Sequence, residues 1–408
     1  MRALFVAPAV LCFALLGCEK RDTATTDPKP DAATTDPVAQ TDPNAPAMAA
    51  TDVILLGEVG SLTGSEATFG ISTQRGIQMA IDEVNAQGGV KLADGTQKKI
   101  DVRVYDDQGK PEEAANAVTR LITQDKVKVI LGEVASSNSL AMAPKAQANQ
   151  VPMITPSSTN PKVTEVGDYI FRVCFIDPFQ GKVMAKFAHE NIKVKNVAVL
   201  KDNKSDYSLG LAAVFTKEWL AMGNTIVGEE AYSKGDTDFR GQLTSIKGKK
   251  PDAIYVPGYY TDVGVIARQA RELGIKAPLM GGDGWESEKL FELGGSAIEG
   301  SYFSNHYSSE DPSPRVQDFI KNYKAKYSGT MPDSLGALGY DAAMVAIAAI
   351  GRAKDLTGPS IREEIAKTKD HPGVAGNITL DASRNATKPA VVLQVKDGKT
   401  AYVTTVNP

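Results

Sequence analysis

The sequence predicts an α/β fold made of two doubly wound, Rossmann-like halves, and three observations lead there. Short apolar runs alternate with apolar residues at helical spacing from Val53 onward. The same alternation restarts after Asp177. Strand and helix follow each other without hairpin signals, the pattern of a parallel sheet covered on both faces. About 350 residues follow the N-terminal segments, more than one core usually serves, so two domains of ordinary size are expected.

The first eighteen residues read as a targeting segment. Arg2 supplies a positive start, residues 3–16 are apolar but too short to span a bilayer as a mature helix, and Leu15-Leu16-Gly17-Cys18 looks like a bacterial lipoprotein cleavage site. Residues 1–18 are therefore expected to be a signal peptide, with Cys18 as the lipidation site. Residues 19–50 are mostly Thr, Asp, Pro and Ala, with Thr-Thr-Asp-Pro at 25–28 and again at 34–37. Such a stretch has almost nothing to bury and reads as a disordered tether.

In the first half, 53–56 is a strand that runs toward Gly60-Ser61-Leu62-Thr63-Gly64. Ile77, Ala80, Ile81 and Val84 then mark a helix that Gly88-Gly89 ends. The next strand, 100–105, finishes in Asp106-Asp107, and Ala114, Ala117, Val118, Leu121 and Ile122 form an amphipathic stripe. Strand 127–131 leads into Ala135-Ser136-Ser137. A helix returns the chain to a strand ending in Pro156-Ser157-Ser158-Thr159-Asn160-Pro161. These two hydroxyl-rich clusters should face one crevice, where hydroxyls and free backbone N–H groups suit a carboxylate. Taken singly, each cluster also fits turn formation and helix capping.

The second half repeats the order. Strand 197–200 is followed by Tyr207 and by the stripe Leu211, Val214, Phe215, Trp219 and Met222. A strand begins at 225–227, a short helix lies near 239–246, and strand 253–256 empties into Gly258-Tyr259-Tyr260. Ile266, Ala270 and Leu273 mark a helix, and strand 278–281 ends at Asp283-Gly284-Trp285. Residues 341–353 read as a buried helix, and no run after the signal segment reads as transmembrane. Ligands in doubly wound sheets sit beyond the strand C-termini. The loops so placed hold Phe69, Ser136, Ser158, Thr159, Tyr207, Tyr259 and Asp283.

Several function classes are excluded. The formal charge is −4 with basic and acidic residues interleaved, so neither nucleic acid nor an anionic membrane surface is an implied partner. Beyond Cys12 and Cys18 only Cys174 remains, so no internal disulfide is expected and Cys174 reads as a buried thiol. His189, His306 and His371 lack metal-ligand spacing, so no metal is expected. There is no Gly-x-Ser-x-Gly elbow and no phosphate-binding Gly-x-x-x-x-Gly-Lys, and Asp106-Asp107 reads as an acidic turn. The chain is expected to be no enzyme and to need no cofactor.

From Thr51 to the C-terminus the ordered features together resemble the type I periplasmic binding proteins of the branched-chain amino acid group, typified by the leucine/isoleucine/valine-binding protein. Gly60-Ser61-Leu62-Thr63-Gly64 with Phe69 is similar to the family's first loop, where an aromatic lines the side-chain pocket. Gln87-Gly88-Gly89-Val90 and Tyr105-Asp106-Asp107 match its helix and strand ends. Ala135-Ser136-Ser137 and Pro156-Ser157-Ser158-Thr159-Asn160-Pro161 resemble the segments that hold the ligand α-carboxylate. Tyr207, Tyr259 and Asp283 fall where the family places its second-lobe contacts, the acid taking the α-ammonium. There are two departures. The archetype's disulfide is replaced by Gln108-Gly109 and Ala135, and the acid is Asp283 rather than a glutamate, with Trp285 close behind as a further possible contact.

The resemblance implies three crossings between lobes, with lobe 1 at 51–176 and 303–385 and lobe 2 at 177–302 and 386–408. It implies a monomeric, lipid-anchored protein on the periplasmic or cell-surface side of a bacterial membrane that captures an amino acid and delivers it to an ABC transporter permease. A sensor of the same fold signalling to a membrane receptor, or a binder of small amides, is the alternative.

Overall fold

The computed structural model describes residues 53–408. The expected signal peptide, Cys18 and the tether to residue 50 lie outside the described residues. Two sheets organise the rest. The first contains β1 (Val53–Gly60), β2 (Val90–Lys91), β3 (Gln97–Asp106), β4 (Ile130–Leu131), β5 (Met153–Thr155) and β6 (Ile170–Arg172), in the order β2-β3-β1-β4-β5-β6. The second contains β7 (Asn196–Asp202), β8 (Thr225–Tyr232), β9 (Ala253–Tyr255), β10 (Leu279–Gly281), β11 (Tyr302–Asn305), β12 (Ala390–Lys396) and β13 (Lys399–Val406), in the order β13-β12-β11-β10-β9-β7-β8.

Helices cover both faces of each sheet, as the apolar stripes require. They are α1 (Ala67–Ala86), α2 (Pro111–Arg120), α3 (Ser136–Ala148), α4 (Lys162–Glu165), α5 (Asp177–Phe187) and α6 (Asp206–Ala221), followed by α7 (Arg240–Gly248), α8 (Tyr260–Glu272), α9 (Glu288–Gly294), α10 (Pro314–Lys326), α11 (Ser334–Arg352) and α12 (Gly358–Ala366). On the first sheet Ile54 and Leu56 pack with Ile77 of α1 and Ala346 of α11, while Val59 on the opposite face packs with Val118 of α2 and Ala143 of α3. On the second sheet Ala198 and Ile254 meet Ile266 of α8, and Val197 and Val199 meet Phe215 of α6.

Two expectations are corrected. First, the sheets are mixed rather than purely parallel: β2 pairs antiparallel with β3, and β12 runs antiparallel to both β11 and β13. Asp397-Gly398 joins β12 to β13 with φ of 53° and 68°, the left-handed pair that a tight hairpin turn needs. Second, the return to the first sheet comes after Asn305, not at 302/303. Phe303 is paired with Gly281 and Leu393 and buried in the second sheet's core, so a boundary before it would cut β11. The buried helix expected at 341–353 is present within α11: its length and composition would allow it to cross a membrane, but most of it is buried inside the protein as a core helix.

The topology directs attention to two places. In the first sheet the strand order reverses between β1 and β4, and in the second between β7 and β9. Loops leaving a switch point diverge to opposite faces and open a crevice at the strand C-termini.

Candidate functional site

The residues that leave those switch points meet. Phe69 lies beyond β1 and Val134 beyond β4, Tyr207 beyond β7 and Tyr259 beyond β9. All four line one small cavity together with Ser157 beyond β5, Asp283 and Gly284 beyond β10, and Leu335 at the start of α11. Phe69, Val134 and Leu335 make an apolar wall, with Phe69 edge-on to Tyr259 and Tyr260 at centroid distances of 5.5 and 5.0 Å. Tyr207 stacks on Tyr259 at 5.2 Å.

Asp283 supplies the charge. It opens a short 3-10 turn, Asp283–Trp285, and caps no helix; α9 is capped by Ser287, whose hydroxyl accepts from Lys289 N–H at 3.1 Å. The Asp283 Oδ1 accepts from the Tyr207 hydroxyl at 2.9 Å and from Gln180 Nε2 at 3.0 Å, and Oδ2 lies 2.9 Å from His306 Nε2. Two carboxylate oxygens offer about four acceptor sites; three are filled by the protein. The backbone can come this close because Gly282 has no side chain: a Cβ there would stand 2.5 Å from the Tyr207 hydroxyl oxygen. Burial, then the neighbouring Asp283 charge, pushes the Tyr207 phenol well above its ordinary range, so it stays a donor.

The opposite wall behaves differently. Of the four hydroxyl residues expected to meet a carboxylate, only Ser157 lines the cavity. Ser158 gives its hydroxyl to the Glu133 and Val134 carbonyls at 3.0 and 2.9 Å and shares a 2.8 Å contact with Ser139. Ser136 accepts from Asn160 N–H at 3.3 Å, and Thr159 accepts from Gln180 Nε2 at 3.5 Å. These three brace the loop rather than present side chains to the cavity. A buried carboxylate, Glu133, already occupies the amides before α3: it accepts from Ala135 N–H and from the Ser61 N–H and hydroxyl at 3.3 and 3.1 Å. Burial and then the Asp107 charge hold Glu133 well above the usual carboxylate range. Asp106 serves its own turn, accepting from the Leu62, Thr63 and Gln108 amides at 2.9, 3.2 and 2.8 Å.

Trp285 does not reach this cavity. Its indole N–H donates to the Val256 carbonyl at 2.9 Å, its ring packs on Phe303 at 5.9 Å, and it lines a separate groove with Glu286 and Tyr307. Tyr260 is support, with its hydroxyl on the Ser65 carbonyl at 2.7 Å. Sequence reading missed Val134, Leu335, Gln180 and His306. His306 lacks metal-ligand spacing, yet it directly follows β11, and that strand-end position is its signal in the sequence. Leu335 had none, since α11 reaches the cavity only through the return crossing.

The two sides are closed on each other. Lys234 Nζ meets Glu66 Oε2 at 2.8 Å and the Gly109 carbonyl at 2.9 Å, Thr68 meets Ser287 at 3.0 Å, and Ser137 and Asn160 hold Asp206 at 3.0 and 2.7 Å.

Residues 54–400 match the periplasmic binding protein family. A curated relative, the leucine-, isoleucine-, valine-, threonine- and alanine-binding protein of Pseudomonas aeruginosa, is 32% identical over 335 residues, 81% of this chain and 87% of its own. A crystal structure of a leucine-binding protein from Thermotoga maritima superposes with a TM-score of 0.82 at 40% identity, covering 87% of this chain and 99% of that one. A branched-chain amino acid transporter substrate-binding protein of Streptococcus pneumoniae, in complex with isoleucine, gives 0.82 at 36% identity over 88% of this chain and 100% of that one.

Proposed function

The chain belongs to the periplasmic binding protein family, and from that premise we propose that it captures a branched-chain or similar aliphatic α-amino acid between two closing lobes outside the cytoplasm and delivers it to an ABC importer. The observation that carries the reading is the arrangement of groups around the closed cleft, an apolar wall of Phe69, Val134 and Leu335 with the Asp283 carboxylate on the opposite lobe; the space enclosed there is about 10 Å³, so a ligand is admitted only as the lobes part. A closed cleft excludes water, so a zwitterion entering it needs an anion for its ammonium. Asp283 provides that anion. Ser157 and the backbone amides of Ser136, Ser137, Ser157 and Thr159 receive the carboxylate, with the Ser136, Ser158 and Thr159 side chains shaping those segments, and the aliphatic side chain lies against Phe69 and Tyr259. The lobes are 51–176 with 306–385, and 177–305 with 386–408. Cys18 anchors the mature protein by lipid, and the lobes work as a monomer that binds and does not catalyse.

A thermal-shift screen tests the ligand class, because a compound that binds only the folded state raises the melting temperature. Leucine, isoleucine and valine should raise it; isocaproate, which lacks the ammonium, and isovaleramide, which lacks both ammonium and carboxylate, should not. An equal shift with the amide sinks the zwitterion reading. Cys18→Ser should release soluble protein that still binds.

A further inference from the structure

Asp283 is reached by a group from the crossing between the lobes. His306 follows β11 at the point where the chain leaves the second sheet, its side chain is fully buried, and its ring stacks on Phe175 of the first crossing at 3.8 Å. We propose that His306 is a positioning residue for the ligand ammonium: its Nε2–H fixes the Asp283 carboxylate, and a second proton on its ring competes with the ligand for that carboxylate's charge. The inference rests on the amino-acid reading above.

The geometry specifies the tautomer. Asp283 Oδ2 is 2.9 Å from Nε2, and a carboxylate only accepts, so Nε2 carries the hydrogen. Nδ1 is then the basic nitrogen, and among the described residues it has no hydrogen-bond partner. Burial pulls the imidazole below its ordinary range, against the upward pull of Asp283, so the ring is neutral near pH 7. The one acceptor position that the protein leaves on the Asp283 carboxylate is open to an ammonium. When Nδ1 takes a proton the pair with Asp283 becomes neutral overall, and an arriving ammonium finds no net charge and a like charge beyond it.

The surroundings contain other ionisable groups. Asp177 and Gln180 face the site from α5, with burial pushing Asp177 up to about 7. Arg172 and Cys174 stand on the first crossing; Arg172 is held by the Asn160 carbonyl at 2.9 Å, and burial drives the thiol up to about 12. Lys388 on the third crossing repels a proton on His306 and is itself faced by Asp341 of α11. Glu286 bonds the neighbouring Asn305. Of these only His306 and Gln180 donate to Asp283 from the crossing side, and only His306 can change charge while doing so.

Titration calorimetry with L-leucine and L-isoleucine from about pH 8 to about pH 5 tests this. Wild-type affinity should fall on acidification, approaching tenfold per pH unit at the limit where one proton is displaced per ligand bound. His306→Gln keeps a neutral donor that cannot ionise. It should weaken binding roughly tenfold at the alkaline end, as expected for an altered hydrogen bond to a charged group, and lose most of the acid slope. A purely structural histidine would lower affinity without changing the slope. Should the variant fail to fold, the ring proton resonance of His306 in wild type serves: its titration should move to lower pH on adding L-leucine. An unmoved titration, or the same slope in wild type and variant, overturns the proposal. Absence of binding by either amino acid at every pH would instead overturn the amino-acid reading on which it stands.

Discussion

The two walls of the cavity are built from the same kind of place, loops at strand C-termini, yet they use their polar groups in opposite ways. On the first-sheet side the hydroxyls of Ser158, Ser139 and Thr155 all converge on the Glu133 carbonyl, at 3.0, 2.9 and 2.6 Å. On the second-sheet side Tyr207, Gln180 and His306 converge on one carboxylate that still faces the cavity. The first wall spends side chains on making a loop rigid; the second spends them on holding a charge. Recognition through the first wall should therefore depend on backbone shape and through the second on a single side chain.

The largest effect expected from that contrast is at Asp283. Asp283→Asn leaves a buried ammonium without its counter-charge, a loss of about two to four decades in affinity. Calorimetry should find leucine binding abolished while the ligand-free melting temperature stays within a few degrees; near-wild-type affinity would break the comparison. Phe69→Ala comes next. It removes the aromatic wall and the edge contacts to Tyr259 and Tyr260, and should cost about tenfold to a hundredfold in affinity.

A matched pair sharpens the comparison within the first wall. Ser158→Ala removes a fully buried hydroxyl that braces the loop, and denaturant unfolding should show a loss of about 1–3 kcal/mol. Ser157→Ala should instead lower affinity several-fold and leave stability nearly unchanged, since Ser157 lines the cavity. The reverse assignment would mean that the loop presents Ser158 to the ligand.

The closing contacts predict a smaller change. Lys234→Met cuts the link to Glu66 and the Gly109 carbonyl, which helps only the closed form, so affinity should drop roughly threefold to tenfold. Small-angle scattering should show a larger radius of gyration for the variant at sub-saturating leucine.

The smallest effect concerns pH and the ligand-free protein. Glu58 is pushed up to about 8 and Asp177 to about 7, both by burial. A carboxyl raised in the folded state binds its proton more tightly there than when unfolded. Stability from these two groups is therefore full below about pH 4, the unfolded range, and declines as pH rises through 7 to 8. The melting temperature of the ligand-free protein should rise by a few degrees between about pH 8 and pH 5. Leucine affinity should move the other way over the same range, and parallel movement would mean that fold and site titrate through the same groups.

Local pattern was enough for much of this molecule. Alternating strand and helix periods announced two doubly wound halves, because burial on both sheet faces imposes apolar spacing that survives in any one segment. Strand-end position was enough to single out Phe69, Tyr207, Tyr259 and Asp283, all of which line the cavity. Asp397-Gly398 is itself a hairpin signal in the chain, because Asp-Gly tolerates the two left-handed positions of a tight turn. Side-chain direction was not legible: Ser157 and Ser158 are neighbours of the same size and polarity, and only the packing of β4 against β5 decides which one turns inward to Glu133 and which faces the cavity. Trp285 is two residues from Asp283 in sequence, yet the 3-10 turn carries its ring away from the cavity to the Val256 carbonyl. Leu335 and His306 reach the cavity and its carboxylate through the return crossing after Asn305, and such contacts between residues far apart in the chain leave no periodic trace in it. The sequence by itself determined which segments form sheets and which loops leave their edges, since those follow from local burial; the tertiary structure alone decided which polar atoms remain free, because that depends on what arrives from the other lobe to occupy them.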